Sequence, residues 1–217
     1  MPDPGPVHYV LNTRDISMET APMSTSETAS DSRSKLLALV KEKSVFYGDF
    51  TLASGAKSNF YIDCRLSALD PEGACLIGDV LHDLIVEKAR ELGVEIDAIG
   101  GLTLGADPIS LSIAMSSHLK GREKKLQAFV VRKEPKGYGK GKQIEGNFHE
   151  GDTVVAIDDT VTTGGSTLKA IEAIEAAGGK VAFVAVLVDR DEGAREKIAG
   201  AGYPMIAAFT KGELLDE

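Results

Sequence analysis

Positive charge is scarce in this chain. Its 217 residues carry 24 Lys and Arg against 33 Asp and Glu, a formal net charge of −9. That balance speaks against a protein that coats nucleic acid, and it means that an anionic substrate needs a local basic patch. Cysteine is scarcer still. Cys64 and Cys75 show no metal-ligand spacing, so they read as buried free thiols in a reducing compartment rather than as a disulfide. His8, His82, His118 and His149 are scattered without a motif, and no Ser-His-Asp or Cys-His pairing is suggested, which disfavours hydrolytic nucleophile chemistry. No apolar run approaches membrane-span length and the N-terminus lacks the apolar core of a signal peptide, so a cytoplasmic protein without a membrane partner is expected. Neither Gly-x-x-x-x-Gly-Lys-Ser/Thr nor Gly-x-Gly-x-x-Gly occurs, which removes the Walker loop and the dinucleotide fingerprint.

What is present centres on residues 153–167. Thr153 to Ile157 is a short apolar, β-branched run that reads as a buried parallel strand. Two carboxylates follow, Asp158 and Asp159, and then a hydroxyl- and glycine-rich turn, Thr160-Val161-Thr162-Thr163-Gly164-Gly165-Ser166-Thr167. Leu168, Ile171, Ile174 and Ala177 then take helical spacing, stopped by Gly178-Gly179. Strand, turn and helix N-terminus in that order make an anion site, because the first helical N–H groups have no internal acceptor. Gly164 and Gly165 let backbone approach a phosphate, and the hydroxyls add donors. Two carboxylates would repel that phosphate, so another task suits them, and accepting hydrogen bonds from a ribose diol is one. A bare Asp-Asp pair in a turn can equally be a solvated surface feature.

The length suits one α/β domain, and strands alternate with helices from residue 70 onward, which predicts a mostly parallel sheet covered on both faces. Residues 1–33 are poor in periodic apolar positions and rich in Pro, Ser, Thr and acids, and read as a flexible extension. Met18 and Met23 lie inside it, and the run from Met23 to Thr28 reads as a plausible native start, a reading that N-terminal sequencing tests. Folding is expected from about Ser34, with Leu36, Leu37, Leu39 and Val40 on one helix face. Two strand-like runs, 49–52 and 60–64, flank a Ser-Gly turn and suggest a hairpin. A long amphipathic helix over 71–92, a strand and turn over 96–101, a helix over 109–117 and strands over 126–131 and 181–188 follow, and the tail reads as acidic and exposed.

The required basic patch lies in residues 132–146, with Arg132, Lys133, Lys136, Lys140 and Lys142 among glycines at 137, 139, 141 and 146. Glycine at that density suits a mobile lid, although a solvated loop has the same composition. Arg190, at the C-terminal end of the 181–188 strand, faces the edge where open α/β sheets bind ligands. Its planar guanidinium suits a carboxylate or a pyrimidine carbonyl edge, and a surface ion pair with Asp189 or Glu192 is the plainer alternative.

Residues 153–167 closely resemble the diphosphoribose-binding signature of the type I phosphoribosyltransferases. The string Phe50-Thr51-Leu52-Ala53-Ser54-Gly55-Ala56-Lys57-Ser58, the Arg132-Lys133-Glu134-Pro135-Lys136 loop and Val188-Asp189-Arg190-Asp191-Glu192-Gly193 resemble the hood, catalytic loop and base-contacting arginine of the orotate phosphoribosyltransferases. The resemblance covers about residues 34–210. It implies a type I phosphoribosyltransferase fold in a single domain over 34–217, with a hood at about 34–70 and a core at about 71–217. It also implies transfer from 5-phosphoribosyl 1-diphosphate to orotate with Mg²⁺, giving orotidine 5′-monophosphate on the way to UMP. By the same resemblance, Lys136, Arg132, Asp158 and Asp159 are catalytic, and Lys133, Tyr138, Thr160, Val161, Thr162, Thr163, Gly164, Gly165 and Ser166 join them in holding the diphosphoribose. Thr162, Arg190, Tyr61 and Ile62 meet orotate. The metal is held mainly by substrate, with Asp158 and Asp159 nearby, and the turn at Leu102–Pro108 meets the diphosphate. A homodimer is implied, because the family's lid reaches the neighbouring subunit's site; no nucleic acid partner is implied.

Three residues depart from the family pattern. Ala53 and Gly105 stand where many members carry Lys, and Tyr138 stands where a loop His is common, so diphosphate contacts shift toward backbone N–H groups or Lys57. Two rival readings remain at the level of sequence: a sensor of 5-phosphoribosyl 1-diphosphate without catalysis, and a transferase for a purine such as adenine or xanthine. The intact Lys136 loop disfavours the first, and Arg190 with the hood disfavours the second.

Negative charge grows on the departing diphosphate, so a fixed cation there lowers the barrier. Lys136→Ala is therefore expected to cut turnover by about a hundredfold, about 3 kcal/mol, with an unchanged unfolding transition. Normal turnover in that variant would remove Lys136 from the chemistry.

Overall fold

A computed structural model describes residues 29–51, 57–134 and 143–215. The expected extension lies outside the described residues as far as residue 28, as do Ala53, Lys136, Tyr138, Lys140 and Lys142. Helix α1 (Ala29–Ser44) starts ahead of Ser34, so the folded part takes in Arg33, whose guanidinium donates to the Ala208 carbonyl and pairs with Glu213 at 2.5 Å. The hairpin is present as β1 (Val45–Thr51) and β2 (Lys57–Ile62), antiparallel, with a register shift between Tyr47 and Phe50. A short helix α2 (Arg65–Ala68) leads to α3 (Pro71–Leu92). The bounds of α3 match the amphipathic run because its ends are marked in sequence. Asp70 caps it by accepting from the N–H groups of Glu72 and Gly73, Pro71 opens it, and Gly93 closes it at φ 64°.

The larger sheet is built from β3 (Ala98–Leu102), β4 (Gln127–Val131), β5 (Ile144–Gly146), β6 (Thr153–Val161), β7 (Lys180–Asp189) and β8 (Met205–Thr210), in the order β5-β4-β3-β6-β7-β8. All neighbours are parallel except β4 with β5. Helix α4 (Ala106–Leu119) follows β3, α5 (Gly165–Ala176) follows β6, α6 (Ala194–Gly200) follows β7 and α7 (Lys211–Leu215) ends the described chain. One apolar cluster joins α1, α3 and α4 to the sheet through Val155, Ile157, Phe183 and Leu187. The other joins α5 and α6 through Val154, Ala156, Val184 and Val186. Successive residues of β6 and β7 thus serve opposite faces, as strand geometry requires, and the mostly parallel α/β sandwich is the fold expected.

Four readings need correction. Residues 144–146 form edge strand β5 rather than lid, because Ile144 is buried against β4 and Val131 pairs with it. Strand β6 runs on to Val161, so Asp158 to Val161 belong to the strand end and not to the turn. The tail is not free: Leu214 is buried and Glu213 is tied to Arg33 and Thr210. Cys64 is buried as expected, but Cys75 is exposed, since it sits on the outer face of α3.

Candidate active site

The sheet places its ligand edge by connectivity. The chain leaves β3 through α4 for β4 on one side, while β6 lies on the other, so the C-terminal ends of β3 and β6 flank a switch point. The backbone is tight there. A Cβ at Gly101 would collide with the Ile157 carbonyl, and one at Gly105 would lie 2.5 Å from Asp159 Oδ1. Gly105 is therefore the residue that lets the β3–α4 turn close against the Asp159 carboxylate.

Alternation along β6 separates the two acids. Asp158 follows Val154 and Ala156 toward α5, and Asp159 follows Val155 and Ile157 toward the β3–α4 turn. Asp158 is 8 % exposed. Its Oδ2 accepts from Thr167 Oγ1 at 2.7 Å and Ser166 Oγ at 3.3 Å, and its Oδ1 accepts from the Asp159 N–H at 3.1 Å. Burial pushes the Asp158 carboxyl up to about 6; the Thr167 hydroxyl opposes that shift and the nearby charge of Asp159 adds to it. Asp159 is half-buried, and its Oδ1 accepts from the Thr160 N–H at 2.8 Å. Asp158 thus fixes the first turn of α5, while Asp159 lies against the β3–α4 turn, its Oδ1 2.5 Å and Oδ2 3.0 Å from the Cβ position of Gly105.

Gly164 caps α5 at φ 71°, a conformation that favours glycine, and its carbonyl accepts from the Leu168 N–H at 3.0 Å. The first N–H groups of α5 then point at the mouth of the turn without helical acceptors. Thr163 and Ser166 are exposed there and Thr162 is half-buried. Thr160 faces the hood instead, and its hydroxyl donates to Cys64 Sγ at 3.1 Å. Burial pushes the Cys64 thiol up to about 12, so it sits there as a neutral acceptor. The side chain of Val161 is in the core and its carbonyl accepts from the Arg190 N–H at 3.0 Å. Ile62 likewise packs into the core, while Tyr61 next to it is exposed. Val161 and Ile62 therefore have only backbone to offer a ligand.

Arg190 sits at the end of β7 and is 7 % exposed. Its Nη2 pairs with Glu192 Oε1 at 2.8 Å, its guanidinium carbon lies 5.2 Å from the centre of the Phe60 ring, and its Nε is buried without a partner. Asp189 does not pair with it; Arg195 takes Asp189 at 3.1 Å. Arg132 and Lys133 are exposed at the neck of the basic loop. That neck is closed by Arg132 N–H to the Gln143 carbonyl at 2.8 Å and by Gln143 Nε2 to the Arg132 carbonyl at 3.0 Å. Sequence reasoning missed Lys197 of α6, whose Nζ comes 3.9 Å from the Cβ position of Gly165, and the contacts of Phe60 and Cys64. Nothing local signals these, because each joins segments far apart in the chain. Among the described residues no group of three His, Cys, Asp or Glu could hold a metal ion.

The buried Asp158 carboxyl makes stability depend on pH. Its pKa is raised in the folded chain above the unfolded value, so the folded state holds the proton longer. The stability that this group contributes is fully present below about pH 4, is lost as pH rises to about 6, and then levels. Urea unfolding of Asp158→Asn should lack that decline, which makes the variant gain on the parent between pH 4 and pH 7. Parallel pH profiles for the two proteins would contradict the buried, proton-holding carboxyl.

The phosphoribosyl transferase domain family matches residues 80–202. Orotate phosphoribosyltransferase of Rhodopirellula baltica is 45% identical over 177 residues, 82% of this chain and 91% of that one. The Streptomyces coelicolor enzyme of the same name is 46% identical over 185 residues, 85% and 97% of the two chains. The structure is similar to that of Mycobacterium tuberculosis orotate phosphoribosyltransferase in complex with 5-phospho-α-D-ribosyl 1-diphosphate, with TM-score 0.67, 34% identity and 84% and 98% of the chains covered. No helix among the described residues is long and apolar enough to cross a membrane. With a mostly parallel sheet whose switch point carries a turn leading into a helix N-terminus, and with relatives of this identity along most of its length, the chain belongs to the orotate phosphoribosyltransferase family.

Proposed function

We propose that this chain catalyses attack of orotate N1 on the anomeric carbon of 5-phosphoribosyl 1-diphosphate, giving orotidine 5′-monophosphate and diphosphate in pyrimidine biosynthesis. The observation that carries this reading is the convergence of three groups on one sheet edge: the α5 N-terminus, Asp159 and the buried Arg190 with an unused Nε–H. The 5-phosphate accepts from the N–H groups of Gly165 and Ser166 and from the hydroxyls of Thr162 and Thr163. Asp159 accepts from the ribose hydroxyls, and Asp158 holds the turn in place for it. Arg190 and the backbone beside Tyr61 and Ile62 meet the pyrimidine. Lys136, with Arg132, Lys133 and Tyr138, closes over the diphosphate and keeps water from the sugar cation. A donor set with one accessible carboxylate suits Mg²⁺ held largely by diphosphate oxygens and water. When bound, the ion supplies charge neutralisation on the leaving group. Loss of orotate absorbance in the presence of 5-phosphoribosyl 1-diphosphate and Mg²⁺ is the expected outcome. Turnover of adenine or xanthine without orotate would overturn the base assignment, and no turnover with any base would leave a sensor.

The same reading includes a homodimer with a shared lid. An apolar groove of about 1190 Å³, lined by Leu66, Leu69, Leu104 and Leu111 among others, supports it. Met115 and Leu119 continue that exposed surface at four-residue spacing along α4. A cytoplasmic location belongs to this reading as well, supported by the two free thiols. If the lid crosses between subunits, mixing inactive Lys136→Ala with inactive Asp159→Asn in equal amounts restores roughly a quarter of parental activity, because half the dimers carry one intact site. No recovery after subunit exchange would mean that each lid serves its own site.

A further inference from the structure

We propose that Phe60 is the positioning residue that aims Arg190 at the base, which makes the hood a determinant of base affinity as well as a cover. This inference rests on the orotate reading above. Arg190 is cut off from water, and a buried guanidinium needs every direction around it defined. One nitrogen, Nη2, is held by Glu192 at 2.8 Å. That single bond leaves the guanidinium plane free to rotate about the contact, since one donor on one oxygen fixes a point and not a plane. The Phe60 ring supplies the second constraint. With the guanidinium carbon 5.2 Å from its centre, the ring face attracts the cation and limits tilting of its plane. Nε–H is enclosed by protein and has no acceptor here, so it meets a carbonyl or carboxylate oxygen of the incoming ring once the hood shifts and uncovers it, at the angle that the ring face sets.

Phe60 is well placed for this because its strand is anchored at both faces. It is half-buried and packs against the larger core cluster, while its chain neighbour Tyr61 turns outward. Four residues on, Cys64 accepts the Thr160 hydroxyl at 3.1 Å, which ties the hood to the end of β6. Two contacts, Phe60 with Arg190 and Cys64 with Thr160, thus join β2 and the residues after it to the ends of β7 and β6. A shift of the hood moves the Phe60 ring, and the Arg190 plane follows. Orotate binding should feel that shift, and the grip on the 5-phosphate turn should not.

Phe60→Leu keeps an apolar side chain against the core but removes the ring face. The expected result is a rise in KM for orotate of about tenfold, with KM for 5-phosphoribosyl 1-diphosphate within about twofold of the parent. Phe60→Tyr should restore the parental value, because it keeps the ring. In an Arg190→Lys background, Phe60→Leu should add little, since the group it orients is gone. Thermal melting accompanies each variant, and Phe60→Met replaces Phe60→Leu if the latter fails to fold. An orotate KM unchanged in the folded ringless variant would overturn the proposal, as would equal rises for both substrates or full additivity with Arg190→Lys. A parent chain that does not turn over orotate would instead overturn the functional reading on which it stands.

Discussion

The hydrogen bond from Thr167 to the buried Asp158 carboxylate is the contact on which the site depends. It joins the last part of β6 to the first turn of α5 across the bend, and so fixes where the helix N-terminus points. A carboxylate enclosed there is costly, and its raised pKa is the measure of that cost. Three donors, from Thr167, Ser166 and the Asp159 N–H, offset part of it. An acid that serves only as a cap would be better placed at the surface. Its burial makes sense where the bend must stay in register, because a fully satisfied buried network rigidifies the segments that it joins.

The second constraint is steric. Strands β3 and β6 approach so closely at Gly101, and the following turn approaches Asp159 so closely at Gly105, that side chains have no room. Closeness delivers the two βα connections to one small volume, with the N-terminus of α5 on one side and the Asp159 carboxylate on the other. The hood adds a roof rooted in the same strand ends through Cys64 and Phe60. The two βα connections and the hood are separate elements that share anchorage, which couples their geometry.

Much of this was legible in residue order. The amphipathic run of α3 carried its own stop and start signals in Asp70, Pro71 and Gly93, and its bounds followed directly. The phosphate turn was legible because strand, acids, hydroxyls and glycines are contiguous. What sequence could not supply was direction. Adjacent acids look alike in a string, yet pleating sends Asp158 into the α5 face and Asp159 to the β3–α4 turn. Val161 and Ile62 read as site residues through the resemblance, but their side chains are buried in the two core clusters. Strand β5 was hidden inside a basic, glycine-rich stretch, and its three residues pair only because β4 offers an open edge. Leu214 reads as tail because a five-residue helix has too few positions to display a period. Glu192, the ion-pair partner of Arg190, is local and was open to sequence, but Phe60 against Arg190 and Cys64 against Thr160 lie more than ninety residues away in the chain, and no local pattern encodes them.

The central claim is that the bend after β6 binds a ribose 5-phosphate through backbone N–H groups while Asp159 takes its hydroxyls. Amide chemical shifts of isotope-labelled protein, followed as ribose 5-phosphate is added without base or diphosphate, test it most directly. The account predicts saturable shifts concentrated at residues 159–167, with the largest at Gly165 and Ser166. Saturable shifts that leave those amides still, or none anywhere at millimolar ligand, would contradict it.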